Sequence, residues 1–532
     1  MVSSFGILGL DWTTIAASSF LVYIFTLIIY RLFLDPLSKF PGPKLAAATL
    51  WYEFYYDVIK TGTYMAEIKK MHEKYGPIVR ISPYELHVND PDFYEELYAG
   101  GGRKRNKYAW FVRLFGMTDG SLATIDHDHH RLRRGAISPF FSKTNVRKLE
   151  PVIQGNVEKL MRRLETLEGT GKPVNLNVIF GAFTSDIIIE YAFGESQGYL
   201  DKEDFNVDFF QMMDSIHHIG AAAKQFGWLL PIVLSIPDWI TTRIDKGTAA
   251  FAKMQNTSKS KLAAIIESSP STHAQTSKST STIFHDILTS TLLPPSEKSL
   301  DRLYQEGQTF IAAGTETTAW CLTVIIFYLL SNPEIMKTLK DELDAAERGV
   351  ERKEKRRSSV QLEKLPYLSA VIMEGLRLSF GVCTRLPRIA TGETLVLRDG
   401  GGDGGREKVW RIPPWTPVSM SAGIQHLDPR IFPSPLEFQP SRWLNNKSLE
   451  KYLVSFSKGS RQCVGINLAY AELYLCLSAL VVRYGGAADG TGNGGPKMRL
   501  FETGREDVEM QRDLFIPGVK AGSKGVRVVF EK

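Results

Sequence analysis

A mainly helical fold with a small β portion, preceded by one membrane-spanning helix, is what three features of this sequence predict. Asp301 to Leu330 reads as a single helix stopped by Ser331-Asn-Pro333. At ~1.5 Å per residue it reaches about 45 Å, enough to cross a whole domain. Strand-like alternation is confined to short runs. Ile78-Val-Arg-Ile-Ser with Glu85-Leu-His-Val suggests one hairpin, and Thr394-Leu-Val-Leu with Val409-Trp-Arg-Ile suggests another. Between Asp11 and Arg31 no charged residue occurs. That stretch is long enough for one helix across a bilayer core of roughly 30 Å.

The amino terminus is expected to be a signal anchor rather than a cleaved leader. No basic segment precedes the apolar run, and no small-residue cleavage site follows it. Arg31, Lys39 and Lys44 follow the span while Asp11 precedes it, so the positive-inside rule places the bulk of the chain in the cytosol. The expected division is an anchor over 1–35 (span about 12–30), a proline-rich hinge over 36–44 and one large domain over 45–532. The sequons at Asn256 and Asn446 would then stay unglycosylated.

The chain has 532 residues, 43% of them apolar, and can bury a large core. Its net charge of +6 comes without a dense basic tract carrying interleaved aromatics, which argues against a nucleic-acid partner. Four irregularly spaced cysteines (Cys321, Cys383, Cys463, Cys476) fit a reducing compartment rather than a disulfide scaffold. Gly400-x-Gly402-x-x-Gly405 and Gly490-x-Gly492-x-x-Gly495 satisfy the dinucleotide fingerprint literally. Neither opens a helix: strand-like residues follow the first and Pro496 follows the second, so both read as loops. No nicotinamide or flavin site is visible in the sequence.

The most informative stretch is Phe456-Ser-Lys-Gly459-Ser-Arg461-Gln-Cys463-Val-Gly465. A single cysteine between glycines, behind an aromatic and an arginine and ahead of an apolar helix, suits one thiolate ligand to a metal. Phe456 can lie against a flat cofactor, and Arg461 supplies a cation for a carboxylate. Every fixed position resembles the haem-binding signature of the cytochrome P-450 superfamily, and the resemblance continues through Leu468-Ala469 to Glu472. It implies the cytochrome P-450 fold, with the long central helix over haem. The cofactor would be heme b (iron protoporphyrin IX), with Cys463 as the axial ligand of haem iron.

Ala313-Gly314-Thr315-Glu316-Thr317-Thr318 places weak helix formers and a glutamate in the middle of the long helix. Alone it would fit a kink with a surface glutamate equally well. It resembles the superfamily's oxygen-activation motif, in which Glu316 and Thr317 would be the catalytic acid and hydroxyl that manage protons. Glu374-x-x-Arg377 and Pro440-x-Arg442 resemble the elements of a buried charge triad behind the haem, a structural role for Glu374, Arg377 and Arg442. His130 and Arg134, one helical turn apart, resemble the pair that holds haem propionates, and Arg388 is a further match. Arg131 and Arg133 are expected to face an acidic redox partner, or to form a plain basic helix face. Substrate contacts are expected from Phe310, Ala313, Phe380 and Val382, which imply an apolar substrate.

The resemblance spans nearly the whole chain. Tyr30-Arg-Leu-Phe-Leu-Asp-Pro-Leu37, Phe40-Pro-Gly-Pro-Lys44 and His72 to Arg80 look like fungal membrane-bound members, the trichodiene oxygenase group above all. Those segments are non-catalytic, so they speak to ancestry more than to substrate. The function implied is a monooxygenase that inserts one atom of O2 into a hydrophobic small molecule, a terpenoid or another secondary metabolite. Its partners would be an NADPH-cytochrome P-450 reductase, with cytochrome b5 a further donor, and its site the endoplasmic reticulum membrane in a single-pass orientation. Two alternatives stand: a haem-thiolate isomerase or dehydratase that needs no external electrons, and a non-catalytic haem-binding protein.

Overall fold

The computed structural model describes residues 11–229, 232, 236, 240, 243, 246–268, 282–348, 357–400, 407–486 and 496–532. The glycine fingerprint at 490–495 and all but Gly400 of the one at 400–405 lie outside the described residues. The longer helices are α1 (Trp12–Ile29), α2 (Tyr64–Tyr75), α3 (His127–Ile137), α4 (Lys143–Glu165), α5 (Leu176–Phe193) and α6 (Val207–Gln225). They continue as α7 (Lys246–Ser268), α8 (Leu300–Ser331), α9 (Pro333–Arg348), α10 (Pro366–Ser379) and α11 (Ile466–Tyr484).

Helix α8 is the central beam. Its stretch from Leu322 to Leu329 is buried on every side, as a mostly apolar run must be, and its Thr323 hydroxyl donates to Ala319 O at 2.8 Å. Two missing side chains set its crossings. A Cβ on Gly314 would come 2.9 Å from Ile188 of α5, and one on Gly375 of α10 would come 2.2 Å from Ile325 of α8. The α5 crossing is also hydrogen-bonded: Thr184 Oγ1 donates to Thr315 O at 2.9 Å, and the Ser185 and Thr315 hydroxyls lie 2.9 Å apart. Asn332 ends the helix and Pro333 starts α9, because proline tolerates only a first-turn position.

Both expected hairpins form. Ile78–Arg80 pairs antiparallel with Leu86–Val88, and Leu395–Asp399 pairs antiparallel with Lys408–Ile412. The first belongs to a five-stranded sheet completed by Pro417–Ser419, Arg388–Ala390 and Arg105–Lys107. That sheet carries Lys107 and Arg388 at its far edge, which matters for the site.

Four helices are long and apolar enough to cross a membrane, α1 with the residues to Leu34 among them. The other three are 56–78% buried inside the protein, whereas none of the Trp12–Leu34 window is buried. The segment after it is not a free hinge. Arg80 N donates to Pro41 O and Arg80 Nη1 to Arg31 O, each at 2.7 Å. Leu37 and Phe40 are buried in the cluster around the sheet.

A second polar core lies where α6 meets the N-terminal helices. Lys224, near the end of α6, sits 2.5 Å from Glu53 and 2.7 Å from Asp57. Arg385 bonds the same Glu53 at 2.5 Å and Glu85 at 3.1 Å, and all five side chains are almost wholly buried.

Buried imidazoles give this fold a pH dependence. His426 Nδ1 donates to Arg377 O at 3.0 Å and Nε2 accepts from Val454 N–H at 2.9 Å, so the neutral ring already uses both nitrogens. Burial first, and the Arg377 cation second, hold its pKa down at about 3. Burial holds His72 down at about 4. Between these values and ~6.5 the unfolded chain binds more protons, so this stability is complete above pH ~6.5 and declines as pH falls. The expected slope is up to ~1.4 kcal/mol per pH unit for each ring. Unfolding free energies measured from pH 7 to 5 should fall, and His426→Asn should flatten the decline by about one proton; an unchanged slope contradicts it.

Candidate active site

The Cys463 loop is set by its backbone. Cys463 N–H donates to Phe456 O at 2.9 Å, closing the loop just before α11. Gly459 has φ +72°, and a Cβ there would meet the carbonyls of Tyr98 and Ala99 at 2.2 and 2.4 Å. Its glycine is therefore required by contact with the 98–99 backbone, not by room for a cofactor. Cys463 lies deep in the protein yet presents surface to a cavity of about 410 Å3. Burial pushes its thiol pKa up, while the Gly465 N–H and Arg134 pull it down.

Basic side chains collect around the same cavity. His130, Arg134, Arg388 and Arg461 all line it, together with Lys107. Among the described residues none of the five joins an ion pair. Arg134 Nε donates to Ser138 Oγ at 2.9 Å, and Arg388 Nη1 to Pro387 O at 3.1 Å. Arg461 is spent largely on carbonyls, reaching Thr124 O and Ile125 O at 2.7 Å each. Burial and then the Arg388 charge bring Arg461 down to about 9. Burial and then Arg461 bring His130 down to about 2. Lys107 donates to Leu122 O, and burial with the Arg388 and Arg461 charges lowers it strongly. A buried set of cations that repel one another fits a group bearing carboxylates, as the two propionates of haem do. No group of His, Cys, Asp or Glu among the described residues could hold a bare metal ion.

Helix α8 contributes to the lining of the same cavity. Ala313, Gly314, Glu316 and Thr317 line the cavity, and Thr317 Oγ1 donates to Ala313 O at 2.9 Å. That bond to the preceding turn parks the hydroxyl at the helix surface. Gly314 also serves the α5 crossing, so only part of this small-residue run is explained by the cavity.

Glu374, Arg377 and Arg442 come together as expected. Arg377 bonds Glu374 at 2.8 and 2.9 Å, and Arg442 Nε reaches Glu374 at 3.1 Å. Trp443 Nε1 and Gln439 N also donate to that carboxylate, each at 2.9 Å. Arg377 spends its remaining donors on His426 O, Pro435 O and Glu437 O at 2.6–3.0 Å. The Glu374–Arg377 pair is fully desolvated, Arg442 nearly so, and the carboxylate is satisfied on both oxygens.

A cytochrome P450 family model matches residues 42–493. The chain belongs to the cytochrome P450 family. Its identity to the cytochrome P450 monooxygenase tpcC of Cochliobolus heterostrophus is 44% over 506 residues, covering 95% of this chain and 94% of that one. Tryptophan 6-hydroxylase fscE of Fusarium equiseti is 39% identical over 538 residues, with 100% of both chains covered. N-acetyltryptophan 6-hydroxylase ivoC of Emericella nidulans is 38% identical over 517 residues and 96% of each chain. This P450 is thus a haem-dependent monooxygenase of the fungal type, and its cofactor is haem b held by a cysteine thiolate.

Three sequence expectations are revised or extended in this P450. Phe380 does not line the cavity; with φ +62° it turns back and stacks on His426, 6.0 Å between ring centres. Phe310, Ala313 and Val382 do line it. Arg133 is unavailable to a redox partner, being 5% exposed and bonded to Glu297 at 2.7 Å, whereas Arg131 is exposed. Lys107 was missed, since a lone lysine in a three-residue edge strand carries no motif; its position opposite Arg388 emerges only from strand pairing.

Removing one member of a buried charge cluster typically costs ~3–5 kcal/mol, because the others stay buried and unpaired. Glu374→Ala should therefore leave little haem-loaded protein, measured as haem per polypeptide after purification. Normal haem content would show that the cluster does not hold the loop.

Proposed function

We propose that Cys463 is the thiolate ligand of the haem, that Arg134, Arg388, Arg461 and His130 hold its propionates, and that Glu316 and Thr317 manage protons. The observation that carries this reading is a cation-lined cavity to which both Cys463 and the Ala313–Thr317 turn contribute. When bound, the haem supplies the oxygen chemistry of the family. Glu316 and Thr317, side by side on α8, offer an acid and an alcohol as a relay for the protons that reduction of O2 consumes. The surrounding apolar wall excludes water and so keeps those protons on the relay.

The substrate is proposed to be an apolar small molecule, a terpenoid being the first choice. Phe111, Phe115, Phe310, Val382 and Phe515 line a cavity within the usual size range for such ligands. A second reading, hydroxylation of an aromatic ring, is favoured by the two relatives named for oxidising tryptophan or its N-acetyl form. Electrons are proposed to arrive from an NADPH-cytochrome P-450 reductase, with cytochrome b5 a further donor. The domain division is proposed as an anchor over 1–35, a tethered segment over 36–44 and a catalytic domain from 45. A single-pass endoplasmic reticulum location with the catalytic part in the cytosol is supported by the exposed Trp12–Leu34 window and the basic residues after it.

Microsomes holding the protein and a fungal reductase should be given NADPH, labelled O2 and a panel of sesquiterpenes and indole derivatives. One labelled oxygen in a terpene product supports the first reading, and a label on an indole ring the second. Cys463→Ser should abolish labelling. Thr317→Ala should divert NADPH to peroxide, lowering product per NADPH several-fold. Tight coupling in that variant removes the role given to Thr317.

A further inference from the structure

Two of the cavity cations, Lys107 and Arg461, are aimed by carbonyls from a single stretch of chain. Residues 118–126 form neither helix nor strand. Lys107 donates to Leu122 O, and Arg461 to Thr124 O and Ile125 O at 2.7 Å each and to Asp126 O at 3.1 Å. The Lys107 backbone N–H is spent on the same stretch, reaching Ile125 O at 2.9 Å. A segment outside helix and sheet must have its own N–H groups satisfied from elsewhere. Helix α8 does this. Gln305 Oε1 accepts from the Thr118 and Asp119 N–H groups at 3.0 and 2.9 Å. Glu306 Oε2 accepts from the Ser121 N–H at 3.0 Å and from its hydroxyl at 2.9 Å. Gly120 lies so close to α8 that a Cβ would come 3.2 Å from Thr309 Oγ1. The Thr124 hydroxyl completes the fastening, donating to Gly120 O at 2.9 Å and accepting from Arg133 at 2.8 Å.

Glu306 is 1% exposed, an expensive place for a carboxylate. Arg302, one turn back on the same face, lies 2.8 Å from it and 3.3 Å from Glu297. Yet no guanidinium nitrogen of Arg302 makes a hydrogen bond among the described residues. Arg302 therefore balances the charge, while the directional bonds of Glu306 go to Ser121. Such charge-assisted bonds hold a backbone more firmly than neutral ones.

We propose that Glu306 is a positioning residue for the cofactor, acting through 118–126 on Arg461 and Lys107. Gln305 shares the task with an uncharged acceptor. The inference rests on the reading above in which Arg461 meets a haem carboxylate, and it adds the support behind that grip. The role needs no contact between Glu306 and either haem or substrate. Without the Ser121 bonds the stretch shifts, and the carbonyls of Leu122, Thr124 and Ile125 lose their aim. Two buried cations then lose their acceptors, and the hold on the cofactor loosens.

The test uses the haem-loaded full chain and two readouts. One is the rate of haem loss to excess apomyoglobin, the other the propionate bending band in the resonance Raman spectrum. Glu306→Asp keeps the charge beside Arg302 but is one methylene shorter, so it falls short of Ser121. It should lose haem about tenfold faster and shift the band. Gln305→Met removes an acceptor without a charge and is the second variant should the first fold poorly. It should move both readouts in the same direction by less. Arg461→Lys loses the planar fork that meets the carbonyls and should move both readouts on its own. When Glu306→Asp is combined with Arg461→Lys, the two changes should fall short of adding, because one acts through the other. Fully additive changes would make Glu306 a packing residue and overturn the proposal. So would wild-type haem loss and an unmoved band in both Glu306→Asp and Gln305→Met while Arg461→Lys is altered. Unchanged readouts in Arg461→Lys sink the carboxylate reading of Arg461 and this inference with it.

Discussion

The carboxylate of Glu374 is the fixed point on which the rest of the site depends. It accepts from Arg377, Arg442, Trp443 and the Gln439 backbone, which brings α10 against the chain from Pro433 to Trp443. Arg377 extends the grip to the carbonyls of His426, Pro435 and Glu437. His426 in turn holds Val454 N–H, two residues before the loop that carries Cys463. A loop without regular structure is thereby placed by a chain of buried polar contacts, each with a defined direction. An apolar core of the same size would hold the segment in place but would not fix its register.

Helix α8 supplies the second constraint, and it answers to two demands at once. Gly314 lets α5 approach on one side, where Ile188 occupies the space a Cβ would need. On the other side Ala313 and Thr317 face the cavity. Small residues in mid-helix are locally costly. Here they are retained because a larger one would either push α5 away or fill the cavity. Burial of the whole stretch from Leu322 to Leu329 offsets that cost.

Much of this was legible in the sequence wherever a local pattern carries the information. The bounds of α8 and both hairpins follow from periodicity and proline placement. The Glu374 cluster was legible because resemblance joined segments far apart in the chain. What escaped were facts of three-dimensional direction. Phe380 looked like a cavity residue by position, yet its left-handed backbone turns the ring onto His426. Arg131 and Arg133 are two residues apart on α3 and so point to different sides; Glu297, far along the chain, decides which is buried. Lys107 and Arg388 meet because their strands pair, which no reading of either segment alone could supply.

The gathering of cations has a consequence for how this protein folds. Burial lowers the pKa of Arg134, Arg388, Arg461, Lys107 and His130, and repulsion from neighbouring cations adds to it for Arg461, Lys107 and His130. A chain without an anionic guest must therefore either keep uncompensated charge inside or shed protons there. On the proposed assignment the haem carboxylates relieve that cost, so the cofactor binds the folded state far better than the unfolded one. Whatever binds only the folded state raises its stability by mass action. The basic lining is then more than a grip on the cofactor: it makes the empty protein the less stable one. Damage to the Glu374 cluster or to the Cys463 loop should accordingly reach folding yield and cofactor content together, because the same buried charges set both.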